Sequence, residues 1–140
     1  MSKKSPKIAA LLDALEPDPR HPRHYTGYFA CFNKGFYYEA HDVLEELWLQ
    51  DRHGPHGNFF KGLIQLAGAF VHLQKNRLRP SSNLFRLALA NFAPYPACTL
   101  DLDLDQVRLL CDDWLARLAA SRYEINPLTP GTAPGLALEA

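Results

Sequence analysis

The sequence has few cysteines and no excess of charge of either sign, and both shortages exclude classes of function. Its three cysteines, Cys31, Cys98 and Cys111, are too few and too scattered for a disulfide framework or a CxxC metal site. Fifteen basic residues balance fifteen acidic residues, so no long-range attraction draws the chain to nucleic acid or to an anionic membrane. We therefore expect no nucleic-acid or membrane partner, and the odd cysteine count fits a reducing, cytoplasmic location.

Two patterns are also missing, namely an apolar run long enough to cross a membrane and an alternation typical of strands. What is present is helical periodicity, divided by proline and glycine. The breaks predict helices at about 6–15, 23–33, 36–50, 58–76 and 80–92, and a sixth that follows the acids of 101–105 and reaches about residue 121. The predicted fold class is all-α: a compact multihelical domain of five to six helices over residues 1–125, followed by a flexible tail, 126–140, rich in proline and glycine.

The two central helices, at about 36–50 and 58–76, are predicted to pair as an antiparallel hairpin across a short loop. The first carries His41 and Glu45 four residues apart, and therefore on one side, at the edge of its apolar face. The second is apolar around nearly its whole circumference except for one polar stripe. If these edges meet, they form a polar seam, and the candidate seam or ligand-binding residues are Tyr37, Glu39, His41, Glu45, Trp48, Lys61, Gln65 and His72.

A long motif runs through this hairpin and resembles that of a known family. The motif reads Phe32-Asn-x-Gly35-x-Tyr37-x-Glu39-Ala-His41-x-x-Leu44-Glu45-x-x-Trp48, and then Phe60-x-Gly-Leu-Ile-Gln65-x-Ala67-x-x-x-x-His72. It is similar to the motif of the bacterial and archaeal family known as domain of unknown function 309. The resemblance implies a compact multihelical cytoplasmic domain without an assigned activity. One departure is Asp42, where the family's pattern prefers glutamate.

Three interpretations of the seam follow from its residue types. In the first interpretation the seam is structural. His41 hydrogen-bonds Glu45 or Gln65, because buried polar groups need partners. In the second it is a divalent metal site, such as a zinc site, with His41, Glu45 and His72 as ligands and an open position for water. In the third it is a pocket for a small ligand. The i, i+4 spacing of His41 and Glu45 suits all three.

The sequence thus predicts a small helical binding or scaffold module without a resident cofactor, acting through a groove near Tyr37, His41, Trp48 and Gln65. Its partner is a protein, a small molecule or a second copy of the chain. The competing hypothesis is a metal-dependent, hydrolase-like enzyme that uses His41, Glu45 and His72. An enzyme is the less favoured reading, because no serine, threonine or cysteine nucleophile lies within the motif.

Overall fold

The computed structural model describes residues 6–139, so the first five residues of the predicted domain and the last residue of the predicted tail lie outside it. Over this range the chain forms six helices and one pair of very short strands. The helices are α1 (Pro6–Ala14), α2 (Arg23–Asn33), α3 (Tyr37–Asp51), α4 (Gly57–Gln74), α5 (Leu78–Phe92) and α6 (Leu104–Ala120). The all-α prediction is confirmed, and the helix bounds differ from the predicted ones by only a few residues.

The junction between α2 and α3 is a tight helix end built on Gly35. This residue has a φ of +77°, in the left-handed region that glycine enters without steric cost. The Phe36 amide donates to the Cys31 carbonyl at 2.9 Å, and the Gly35 amide donates to Phe32 at 3.0 Å, which is the paired bonding of a Schellman cap. The cap ends α2 and starts α3 two residues later, so the two helices fold back on each other.

Helix α4 is the central element, and it lies between α3 and α5. His41 near the start of α3 and His72 near the end of α4 line one pocket, so the two helices run antiparallel and the predicted hairpin is confirmed. The ring of Phe70 in α4 meets aromatic rings from four other positions, namely Phe32, Tyr37, Phe85 and Trp114. Within residues 6–139, no helix combines the length and apolarity needed to cross a membrane.

The strands β1 (Cys98–Thr99) and β2 (Leu102–Asp103) pair antiparallel just before α6. With two residues each they are too short to show any alternation, which is why the sequence pattern does not predict them. Leu100 and Asp101 form the turn between them with φ of 47° and 62°. Asp103 then accepts a hydrogen bond from the Gln106 amide at 3.2 Å, so the predicted acidic cap of the sixth helix is present.

The segment 126–139, predicted from composition to be a flexible tail, lies along the helical body. The Asn33 side chain holds it with two bonds of 2.7 Å, one to the Leu136 carbonyl and one from the Leu136 amide. Asn126 donates to the Leu73 carbonyl at 2.6 Å. The Glu139 amide donates to the Asp101 carbonyl at 2.7 Å. These bonds join residues about forty to a hundred positions apart, so composition alone could not reveal them.

Candidate functional site

The outer edge of α3 carries His41 beside two neighbours from its own helix. The Nδ1 atom of His41 lies 3.2 Å from Oδ1 of Asp42. Its ring lies roughly parallel to that of Tyr38, with centroids 6.5 Å apart. Asp42, the position where the chain departs from the family motif, is therefore the residue that orients the imidazole.

His41 and His72 come together at a small pocket between α3, α4 and α5. The pocket has a volume of about 180 Å³. Two imidazoles are its main polar groups, and the rest of its lining comes from Tyr38, Gly68, Val71 and Leu84. Gly68 matters here because a β-carbon at this position would lie 3.2 Å from the Leu84 side chain. Because this position has no side chain, the space between α4 and Leu84 at the base of the pocket stays open.

The other predicted seam residues do not join this pocket. Gln65 turns to the opposite neighbour, where its Oε1 accepts a hydrogen bond from Asn91 of α5 at 2.7 Å. Lys61 is exposed one turn earlier on α4. Trp48 packs against the hydrophobic core, and Glu45 is half-buried one turn beyond His41. The remaining two, Tyr37 and Glu39, lie in the first turn of α3, with Tyr37 buried in the core.

His72 is a pocket residue whose pKa is shifted by its surroundings. Its Nδ1 atom is buried and has no hydrogen-bond partner within the described residues. Burial lowers the pKa of His72 below its ordinary value of 6.5, and the nearby cations Arg77 and Lys75 lower it further. The imidazole is therefore held neutral near pH 7, with one nitrogen as a donor and the other as an acceptor.

Replacing His72 with glutamine is expected to flatten the dependence of thermal stability on pH. The pKa of His72 is lower in the folded protein than in the unfolded chain, so the unfolded chain binds the proton first as the pH falls. The stabilising contribution is complete above about pH 6.5 and is lost as the pH falls from there to the folded pKa. Melting temperatures from pH 8 to pH 5 measure the slope. His53→Gln, in an exposed loop, is the control, and parallel slopes for wild type and His72→Gln would contradict the assignment.

The metal hypothesis receives no further support from the geometry. Only two of its three predicted ligands, His41 and His72, share the pocket, and Glu45 is not among the lining residues. Over residues 6–139, no three side chains of His, Cys, Asp or Glu gather in a way that could hold a metal ion. A metal bound by His41, Glu45 and His72 stays a prediction.

A second and larger cavity lies at the α2–α3 junction. It is a cleft of about 640 Å³ between that turn, the end of α4 and the C-terminal segment. Three motif residues, Asn33, Gly35 and Tyr37, belong to its lining. Sequence reasoning placed Tyr37 near a groove but missed the cleft, because its other wall comes from residues 126–133. The one indication in the sequence of a contact at this cleft is Asn33, a residue of the motif, whose side chain bonds the C-terminal segment at Leu136.

Two histidine–carboxylate pairs outside the motif were also missed. The Nε2 atom of His21 lies 2.8 Å from Oδ2 of Asp101, and that of His24 lies 2.9 Å from Oε2 of Glu46. His21 lies in the proline-rich stretch before α2, and His24 lies in the first turn of α2, within the helix predicted over 23–33. The structure uses the two side chains to join the start of α2 to the strand turn and to α3. We attribute to them a role in packing rather than in catalysis.

Comparison with known proteins agrees with the motif. Residues 25–84 match the family model described as Domain of unknown function (DUF309). The chain is 30% identical over 91 residues to the uncharacterised protein YpuF of Bacillus subtilis (strain 168). The aligned segment covers 64% of this chain and 52% of that protein. It is 26% identical over 85 residues to an uncharacterised protein of Aquifex aeolicus (strain VF5), covering 61% of this chain and 26% of the other.

The family match spans α2, α3, α4 and the first part of α5, and it includes residues that line both cavities. The chain spans about half the length of YpuF and about a quarter of the Aquifex protein, and each is described as uncharacterised. They therefore carry no activity over to this chain. Residues 25–84 of this protein, from α2 into α5, thus match the DUF309 family, as the motif indicates.

Proposed function

We propose that the protein is a small helical binding module that pairs with a second copy of itself through the face formed by α3, α4 and α5. The observation that carries the proposal is an exposed aromatic side chain beside a pocket whose lining would suit another such side chain, both on the same face. Tyr38 is 60% exposed at the rim of the His41–His72 pocket. An exposed aromatic residue beside a partly apolar pocket is typical of protein–protein contacts.

The size of the pocket favours a side chain over a small molecule. Sites for drug-sized ligands usually measure about 300–1,000 Å³, and this pocket measures about 180 Å³. Its lining is mostly apolar, with the imidazoles of His41 and His72 as polar groups. A tyrosine has matching chemistry, because its ring is apolar and its far end carries a hydroxyl that needs a hydrogen-bond partner.

Two-fold symmetry makes a second copy the natural source of that tyrosine. In a two-fold interface the same patch is used twice, so a residue of one copy that enters a hole of the other is matched by the reverse contact. Tyr38 and the pocket lie on one face, which satisfies this condition. Gly68, with no side chain on the floor between the two walls, allows close approach of the partner.

The rest of the face supports the same arrangement. Two further exposed hydrophobic residues lie on its helices, Leu49 on α3 and Leu87 on α5. Helical spacing places Glu45 and Leu49 on the same side of α3 as Tyr38. Lys61 on α4 is exposed and supplies a positive charge. A face that carries apolar groups and both signs of charge can complement itself after a two-fold rotation.

Sedimentation velocity of untagged protein from about 5 to 500 μM tests the proposal. We expect wild-type protein to dimerise reversibly, and Tyr38→Ser to weaken the association at least tenfold, since it removes the inserted ring. Leu109→Ser is the matched control, because Leu109 is 61% exposed, as Tyr38 is 60% exposed, but lies on α6. A monomeric wild type throughout this range, or equal weakening by both variants, would contradict self-association through this face.

A further inference from the structure

The large cleft at the α2–α3 junction has the dimensions of a small-molecule site. Its volume of about 640 Å³ falls within the range of about 300–1,000 Å³ that such sites occupy. It lies beside the start of α3 and the end of α4, where its lining residues alternate with those of the His41–His72 pocket. No residue lines both cavities, so each site has variants that leave the lining of the other unchanged.

The side chains that line the cleft carry positive charge and no negative charge. Lys34 is the one charged residue among those that line it, and no carboxylate faces it from any of the described lining residues. Lys34 is exposed in the turn between α2 and α3. A ligand with one negative group would find a cation here and no acid to repel it.

The walls of the cleft provide apolar surface. Leu73 comes from the last turn of α4, while Leu128, Pro130 and Ala133 come from the C-terminal segment. These side chains suit a hydrocarbon or aromatic body of modest size. The anionic group and the apolar body of a small organic acid thus have matching parts of the lining.

The amide side chains of the cleft are engaged in holding it together. Gln74 donates to the Gly35 carbonyl at 2.9 Å, which ties α4 to the turn. Asn126 donates to the Leu73 carbonyl at 2.6 Å and accepts from the Leu128 amide at 3.0 Å, which fixes the opposite wall. The rim is consequently shaped before any ligand arrives, and such preorganisation favours binding.

Tyr37 forms part of the inner wall of the cleft. The residue is only 2% exposed, and its ring is held by Phe32 and Phe70, with ring centroids 5.1 and 5.0 Å away. Its hydroxyl is enclosed and has no hydrogen-bond partner among the described residues. A ligand in the cleft therefore meets a rigid aromatic wall here and not a free hydroxyl.

We propose that this cleft binds a small organic acid with an apolar body, whose carboxylate is held by Lys34. Lys34 supplies the charge that selects an acid over its neutral amide. Leu73, Leu128 and Pro130 enclose the apolar body.

Titrations with paired acids and amides test this site. Benzoate, phenylacetate and hexanoate are each compared with the corresponding amide by backbone amide NMR, which also shows where the probe binds. We expect at least one acid to bind with a millimolar or lower Kd, to shift the amides of residues 33–37 and 126–133, and to bind about tenfold more tightly than its amide. Lys34→Gln should abolish this preference, and Arg52→Gln, an exposed cation at the far end of α3, should leave it unchanged.

Tyr37→Phe should raise the melting temperature of the unliganded protein, because it removes an unpartnered buried hydroxyl, and should leave binding of the acid unchanged. The proposal is overturned if no acid binds at 10 mM, if acids and amides bind wild type equally, or if Arg52→Gln weakens binding as much as Lys34→Gln.

Discussion

Replacing Phe70 with alanine is expected to lower the free energy of unfolding by about 3–5 kcal/mol, the range for large-to-small changes at well-packed aromatic positions. Phe70 is fully buried in the central helix. Its ring makes edge-to-face contacts with Phe32, Phe85 and Trp114 at centroid distances of 5.5, 5.4 and 5.0 Å, and stacks with Tyr37 at 5.0 Å. Removing it opens a cavity at the point where α4 meets α2, α3, α5 and α6.

Urea denaturation followed by far-ultraviolet circular dichroism measures this loss. Leu109→Ala is the control, because Leu109 lies exposed on α6 and its truncation should change stability by no more than about 0.5 kcal/mol. A loss below about 1.5 kcal/mol for Phe70→Ala would show that neighbouring rings collapse into the space, and would contradict a rigid aromatic centre.

Helix positions could be predicted from the sequence because local signals and the packing agree. The Lys34-Gly35 hinge is one case, since glycine at a helix end favours the left-handed conformation that Gly35 adopts. The apolar circumference of α4 is another, since it indicates a helix covered on nearly all sides. Cys31 and Cys111 lie in apolar stretches of two predicted helices, and both are buried.

The candidate sites were less accessible to sequence reasoning because they depend on which helix lies beside which. A helical wheel places Gln65 and His72 on one stripe of α4, but this stripe lies between two neighbouring helices, α3 and α5. His72 meets α3 at the pocket with His41, whereas Gln65 bonds Asn91 of α5. The predicted seam is thereby divided between two interfaces, and no pattern within α3 and α4 could show the division.

The C-terminal segment shows the same limit at longer range. Proline and glycine in 127–135 remove helical propensity, which is all that composition can report. Whether such a segment is ordered depends on partners elsewhere in the chain, and here Asn33 bonds Leu136 across 103 positions. The larger cleft exists only because of that placement.

Replacing Gly62 with alanine is expected to destabilise the protein by about 1–2 kcal/mol, although alanine is the better helix former. A β-carbon at Gly62 would lie 2.5 Å from Cε1 and 2.8 Å from Cδ1 of Phe92, closer than real contacts allow. Phe92 is fully buried, so its ring cannot swing into solvent to make room. The steric cost therefore exceeds the gain in helix propensity of about 1 kcal/mol. The family motif includes Gly62, and this contact gives the glycine a packing role.

Gly68→Ala in the same helix is the matched control. Its β-carbon would meet only Leu84 at 3.2 Å, so the gain in helix propensity should offset the contact to within about 0.5 kcal/mol. Both variants are measured by denaturant unfolding at one low protein concentration. The cause is then tested by Phe92→Leu, which removes most of the ring: in that background Gly62→Ala should cost at least about 1 kcal/mol less than in wild type. Additive losses would mean that Gly62 is required for a reason other than the approach of α5 to α4.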